Sequence, residues 1–452
     1  MTFPTIASPF RDTLFDLTES CRHRSGGANA EYIPALKDVD SQLFATAVMT
    51  PTGDMYAFGD TSHEFTIQSM CKPLAYGLAI ELMGLDAVSE RVGVEPSGDA
   101  FNEISLDKYG RPVNPMINAG AITVHGLLME YVGPDGDAVE VVRQNLSDLA
   151  GRELKIDHEV SEGEVETGFR NRAIANLLRS TDTITCDPLE AFKGYCRQSA
   201  VALNVCDLVT IGATLASGGI QPMTGKRVFQ PETVQWVLSV MSTSGMYNAA
   251  GNWMNTVGIP AKSGVSGGIV GAIPGELALA SFSPPLDQFG NSVRGNEFFH
   301  RASEDLGLHM MRVSQRPHGA LRQRALVDFD SDGIQDTTLL RLYGDINFTS
   351  FQVVDREVGK GAASGTQLFL DLVEVRSFSP LARELTQQLL ESVGAQTTVY
   401  VHDPSDLLDK DACTTPQWVD QANVREYRSA KPERLKPRRW HSRLGRTYRR
   451  RR

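Results

Sequence analysis

The sequence predicts a mixed α+β fold, an antiparallel sheet plus a helical subdomain inserted into it, followed by a small α/β domain. Three observations predict it. Strand-like runs with glycine turns lie near both ends of the first 312 or so residues, and helix-period runs fill the stretch between. Periodicity then lapses between about 312 and 325, in "RVSQRPHGALRQR", and a new strand-and-helix series begins.

Taken in order, "SQLFATAVMTPTGDMYAFGD" reads as two strands around a Pro-Thr-Gly-Asp turn. In "QSMCKPLAYGLAIELMG", Leu74, Leu78 and Leu82 recur at i, i+4 and i+8, a helix period that Gly84 stops. "AITVHGLLMEYV" and "NRAIANLLRS" are helix-like, and "GATLASGG" ends a helix on a double glycine. "PAKSGVSGGIVGAIPGELALASFSPPLD" returns to short strands. Beyond the boundary come a strand "TTLLRLYG", a strand "TQLFLDLVEV", a helix "PLARELTQQLLESVG" and a strand "TTVYVH". The expected units are therefore 1–312, 325–410 in β-β-α-β order, and a basic, disordered tail over 425–452.

Composition narrows the class. Apolar residues make up 41% and charged residues 22%, globular values that support a sizeable core. No apolar run is long enough for a membrane span, and "MTFPTIASPFRDTLFDL" lacks the basic and apolar regions of a secretory signal. The six cysteines show no CxxC spacing, which argues for reduced thiols in the cytoplasm rather than disulfides or zinc. Net charge is −11, but the tail from Lys431 onward carries +10, leaving the first 430 residues at −21. An acidic body argues against nucleic acid as its ligand; the tail is either a solubilising segment or a polyanion binder. "DFDSDG", from Asp328 to Gly333, has the aspartate spacing of a calcium loop. Its twelfth position is Leu339 instead of Glu, so it reads as a polar turn.

The chemistry centres on "TIQSMCKPLAYGLAI". A serine hydroxyl is a poor nucleophile until a base takes its proton. Residues i and i+3 share a helix face, so Lys72 can reach the Ser69 hydroxyl. Burial favours the neutral amine, which can then act as that base. The bland alternative is that Ser69 caps the helix and Lys72 lies on its surface. Ser-x-x-Lys alone is weak evidence, and a second match, Ser105 to Lys108, sits in a turn-rich stretch. A distant Lys-Ser-Gly, Lys262-Ser263-Gly264, strengthens the first match, because Ser-x-x-Lys enzymes pair the two. Amides of Ser69 and Val265 would then form an oxyanion hole, typically worth ~3–4 kcal/mol per donor. No Ser-Asp-Asn is present, which argues against a penicillin-type enzyme.

With these motifs in place, "GVEPSGDAFNEI", "GRPVNPMINAGAI", "ETGFRNRAIA", "SGMYNAAG" and "PAKSGVSGGI" closely resemble the serine-dependent glutaminases, over about residues 22–311. The resemblance implies a β-lactamase-like fold, hydrolysis of L-glutamine to L-glutamate and ammonia, and no metal or organic cofactor. It implies Ser69 as nucleophile and Lys72 as base, with Lys262, Tyr195 and Tyr247 completing the catalytic set. It further implies a substrate site of Tyr32, Ser69, Asn118, Glu164, Asn171, Tyr195, Tyr247 and the Val265 backbone, and a homo-oligomer, dimer or tetramer. Glu164 is taken over Glu162 and Glu166 for its seven-residue spacing to Asn171. The residue types suit the ligand: a carboxylate for an α-ammonium, and carboxamides that donate to an α-carboxylate without repelling it. Gly163 and Ala35 depart from the family's usual Ser and acidic residue.

"LRLYGDINF", "LFLDLVEV" and "PLARELTQQLLESVGAQTTVYVHDP" resemble a STAS domain, which implies a protein partner. Ser377 and Ser379 stand at the helix start, where that family can carry a phosphate. Two rival readings stay open at this level: another serine amidohydrolase of the same fold, and a non-catalytic glutamine sensor signalling through the second domain.

Overall fold

The structure is a computed structural model that describes residues 9–31, 33–97, 105–312, 320–327, 336–346, 348–363 and 367–419. Tyr32, the calcium-loop look-alike at 328–333 and the basic tail lie outside the described residues. Contacts divide the chain into two compact units, Met1–Arg312 and Val313–Arg452.

In the first unit, both chain ends supply one five-stranded antiparallel sheet. Met55–Gly59 pairs with Ala45–Met49 across the Pro-Thr-Gly-Asp turn, and Ala45–Met49 pairs in turn with Leu277–Phe282. Gly268–Ile273 and the edge strand Ala261–Ser263 complete it. Small residues let a helix lie close: a Cβ on Gly212, in the helix Val205–Ala216, would crowd Val270 and Ala278 on the sheet. The inserted residues form the helical layer. Two of its helices, Cys71–Met83 and Asn118–Val132, are buried along most of their length instead of on one face. Such all-round burial marks a core helix, in which any ionisable group requires a partner. Lys72 is such a group, 1% exposed.

Among the described residues, the second unit has a five-stranded sheet and two helices. Its order departs from the β-β-α-β reading. Leu321–Val327 is a strand antiparallel to Thr337–Ile346, although it begins inside the stretch that looked aperiodic. A helix that the sequence reading missed, Phe348–Ala363, joins Thr337–Ile346 to Gln367–Phe378, and those two strands are parallel. Parallel neighbours need such a crossover, which a direct strand-to-strand turn cannot supply. Val354 and Val358 of the missed helix pack with Leu390 and Val393 of Pro380–Gly394 over Leu340, Leu370 and Val401. Ser379 caps that last helix by accepting from Ala382 N, while Ser377 donates to Asp345.

Candidate active site

Ser69 sits in a short 3-10 turn, Gln68–Met70, that runs directly into the helix Cys71–Met83. A bond from Ile67 N to Val201 O (2.8 Å) pins the approach. Gln68 then takes a left-handed backbone, φ 49°, a region disfavoured for residues with side chains. Neither the turn nor the helix has a side-chain cap, so the capped-helix alternative does not describe Ser69. Nor is Lys72 on the surface. Its amine donates to Asn118 Oδ1 at 2.7 Å and to Met116 O at 3.3 Å. Burial drives its pKa down to about 8, against opposing pulls from Cys71 and Glu164.

The motif "NPMINAGAI" explains how Asn118 arrives there. Asn114 Oδ1 accepts from the amides of Met116 and Ile117, folding a turn over the start of the helix Asn118–Val132. Gly120 must lack a side chain, because a Cβ there would overlap the Asn114 carbonyl. The wound segment delivers Met116 O and Asn118 Oδ1 to the same amine. Asn118 Nδ2 donates onward to Asn171 Oδ1 at 2.8 Å, and Tyr195 OH donates to Asn118 Oδ1 at 3.4 Å.

Glu164, on the helix His158–Thr167, is buried, and its Oε2 has no hydrogen-bond partner among the described residues. Burial pushes its pKa up to about 7, opposed by the Lys72 charge and by a hydrogen bond from Gln68. A buried carboxyl oxygen left without a partner is suited to pair with an incoming cation.

On the opposite wall, Tyr247 also has a left-handed backbone, φ 52°. Its hydroxyl donates to Ser263 O at 3.2 Å and shares a hydrogen bond with Ser69. Burial lifts that phenol to about 12. Lys262, fully buried, donates to the same Ser263 carbonyl at 2.8 Å and lies 3.9 Å from the Tyr247 ring centroid. Burial, with the Lys72 charge added, holds its amine well below the usual lysine range. Burial thus shifts both amines toward the neutral form, and the Lys72 charge adds to the effect on Lys262. Val265 and Tyr247 line a cleft of about 500 Å³ with Ala28–Glu31 and Leu286–Gly290.

Hydrogen bonds thus join Lys72, Asn118, Asn171 and Tyr195 in one group, and Ser69, Tyr247 and Lys262 meet in another around the Ser263 carbonyl. The Lys72 charge acts on both Glu164 and Lys262, and Val265 lines the cleft beside Tyr247. Two residues that touch this site were not picked out from the sequence. Gln68 is next to Ser69 in sequence, yet its left-handed turn and its bond to Glu164 have no local signature. Asn291, which binds Ser263, is 28 residues away along the chain.

The family model described as Glutaminase matches residues 27–311. A glutaminase of Corynebacterium efficiens is 43% identical over 433 residues, covering 93% of this chain and 99% of the relative. Glutaminase 1 of Escherichia coli K12 is 41% identical over 291 residues, or 64% of this chain and 93% of that one. Among solved structures, Mglu in its glutamate form superposes with a TM-score of 0.80 at 37% identity, covering 89% of this chain and all of Mglu. Its α/β architecture spans both units of the present chain.

Proposed function

The chain belongs to the glutaminase family, and from that premise we propose that its reaction, the hydrolysis of glutamine to glutamate, runs through a Ser69 acyl-enzyme on a β-lactamase-like fold. Neutral Lys72 takes the Ser69 proton as the hydroxyl oxygen attacks the side-chain amide carbon. The resulting oxyanion faces the amides of Ser69 and Val265. Tyr247, hydrogen-bonded to Ser69, passes a proton to the departing nitrogen and regains one from Lys72, so that ammonia leaves as the carbon–nitrogen bond breaks and Lys72 is neutral again. Water then attacks the ester, Lys72 takes its proton, and Ser69 recovers its own as glutamate is released. Lys262 keeps Tyr247 and the Ser263 carbonyl in register.

The observation that carries this reading is the buried, unpartnered Oε2 of Glu164 beside Lys72. A general amidase has no use for a desolvated carboxyl there, whereas an α-amino acid brings an ammonium that pairs with it. Asn118 and Asn171 donate to the α-carboxylate, and Tyr195 walls the site. The deciding experiment is ammonia release from L-glutamine by the wild type and by Ser69→Ala. Turnover by the wild type, abolished in a folded Ser69→Ala that still binds glutamine, is expected. Turnover that survives the substitution would remove Ser69 from the chemistry.

For the second unit we propose a STAS-like docking module. Supporting this are its parallel strand–helix–strand units and its two packed helices. Deleting residues 313–452 is expected to leave glutamine turnover by the first unit while abolishing capture of the protein partner.

A further inference from the structure

We infer that Asn291 is a positioning residue for acyl transfer, acting through Ser263; this rests on the site reading proposed above. The Ser263 carbonyl accepts from both Tyr247 OH and Lys262 Nζ. A carbonyl has two lone-pair directions, so the orientation of this one peptide sets where both groups stand. Yet Ser263 ends the strand Ala261–Ser263, which lies at the edge of its sheet and pairs on one side, with Gly268–Ile273. An edge strand has no ladder on its outer side to hold it. The restraint comes from a side chain: Ser263 Oγ donates to Asn291 Oδ1 at 2.5 Å, with both residues buried.

Asn291 is itself held firmly. Its amide donates to Asp287 Oδ1 at 3.0 Å, its carbonyl accepts from Asp287 N at 2.8 Å, and Asp287 Oδ2 accepts from Asn296 Nδ2 at 2.8 Å. Gly290, at φ 85°, closes this tight loop. The loop is joined to the far lip of the cleft through Leu286, which exchanges backbone bonds of 2.9 and 3.1 Å with Ala28. One chain of contacts therefore runs from the cleft lip, through Asn291, to the carbonyl on which Tyr247 and Lys262 converge. Asn291 touches neither substrate nor Ser69. Its effect is on the alignment of groups that do, and misalignment by about 1 Å can cost on the order of 100-fold in rate.

The test is steady-state kinetics and thermal melting of Asn291→Ala, Asn291→Asp, Ser263→Ala, the Ser263→Ala/Asn291→Ala pair, and Ser69→Ala as control. Asn291→Ala is expected to lower kcat about 10- to 100-fold with KM within about threefold, the split that marks alignment rather than ground-state binding. Asn291→Asp, which keeps an acceptor oxygen, should recover most of that loss. The double variant should be no slower than the slower single one, because both remove the same tie. A kcat for Asn291→Ala within about twofold of wild type overturns the inference, as do losses that multiply in the pair. If Asn291→Ala does not fold, Ser263→Ala decides alone: an unchanged kcat overturns the inference and a lowered one with KM kept supports it. Ser69→Ala that stays active would instead remove the acyl-enzyme reading. Ser69→Ala inactive beside a fully active Asn291→Ala would overturn only the role of Asn291.

Discussion

Lys72 donates to Asn118 Oδ1 at 2.7 Å, so the amine's nearest side-chain partner is a carboxamide and not a carboxylate. That difference sets its protonation. A carboxamide oxygen accepts a hydrogen bond without the full charge that would hold an ammonium, and burial then keeps the pKa at about 8. The rate should therefore rise with pH up to about 8, as Lys72 loses its proton, and then level. Asn118→Asp places a carboxylate against the amine and should raise its pKa by at least about one unit. The rising limb of kcat against pH should move upward by that amount, with activity at pH 7.5 down about tenfold or more. A limb that stays in place would mean that Lys72 is not the titrating base.

Glu164 couples binding to stability with opposite signs. Its pKa is lifted from 4.5 to about 7, so the folded chain keeps a proton that the unfolded chain releases from about pH 4.5 upward. The stabilisation is fully present below pH 4.5 and is lost as pH rises through 7, by on the order of 3 kcal/mol. Glutamine binding needs the ionised form, so KM should rise as pH falls below about 7. Glu164→Gln should melt above wild type at pH 8, by a margin that shrinks toward pH 5, while losing glutamine affinity at pH 8 and much less at pH 5, where the wild-type carboxyl is itself protonated. Equal melting temperatures at pH 8 would show that the carboxyl is not strained by its burial.

Much of this was legible because it is local. Ser69 and Lys72 are three residues apart, and the alternating strands around the Pro-Thr-Gly-Asp turn announce the sheet without any tertiary information. The helix Phe348–Ala363 was not legible: Gly359 and Gly361 interrupt it, and the buried positions Val354 and Val358 are β-branched, which weakens the helical signal. Gln68 and Asn291 were hidden for a different reason. Each matters through one long-range contact, Gln68 with Glu164 and Asn291 with Ser263, and no periodicity records such contacts.

Gln68 permits a sharper separation of backbone from side chain. Its φ of 49° is available to glycine without strain, so Gln68→Gly should keep the turn that presents Ser69. What it removes is the hydrogen bond that favours ionised Glu164. KM at pH 7 should rise about tenfold, in line with loss of a bond to a charged group, and the pH at which KM recovers should move upward. Gln68→Val, a branched residue forced into the left-handed region, should instead lower thermal stability by about 1–2 kcal/mol. Equal kinetics for Gln68→Gly and wild type would remove the side chain from the site.

Gly194 tests how closely the helices behind the site must approach. It precedes Tyr195 on the helix Pro188–Ser199, and a Cβ there would overlap Nε2 of buried His125 on the Asn118 helix. Burial holds that imidazole neutral, with its pKa down at about 4, and its Nδ1 pairs with Gln198 Oε1 at 2.8 Å. His125 therefore cannot swing aside without breaking a buried bond. Gly194→Ala should cost about 1–3 kcal/mol through overpacking. Because Tyr195 and Asn118 ride on the two helices forced apart, kcat should fall as well. His125→Ala in the Gly194→Ala background frees the space, so the pair should lose less than the sum of the single losses. A Gly194→Ala protein that melts with wild type would show that the two helices have room between them, and that Tyr195 is held to Asn118 by something other than their contact.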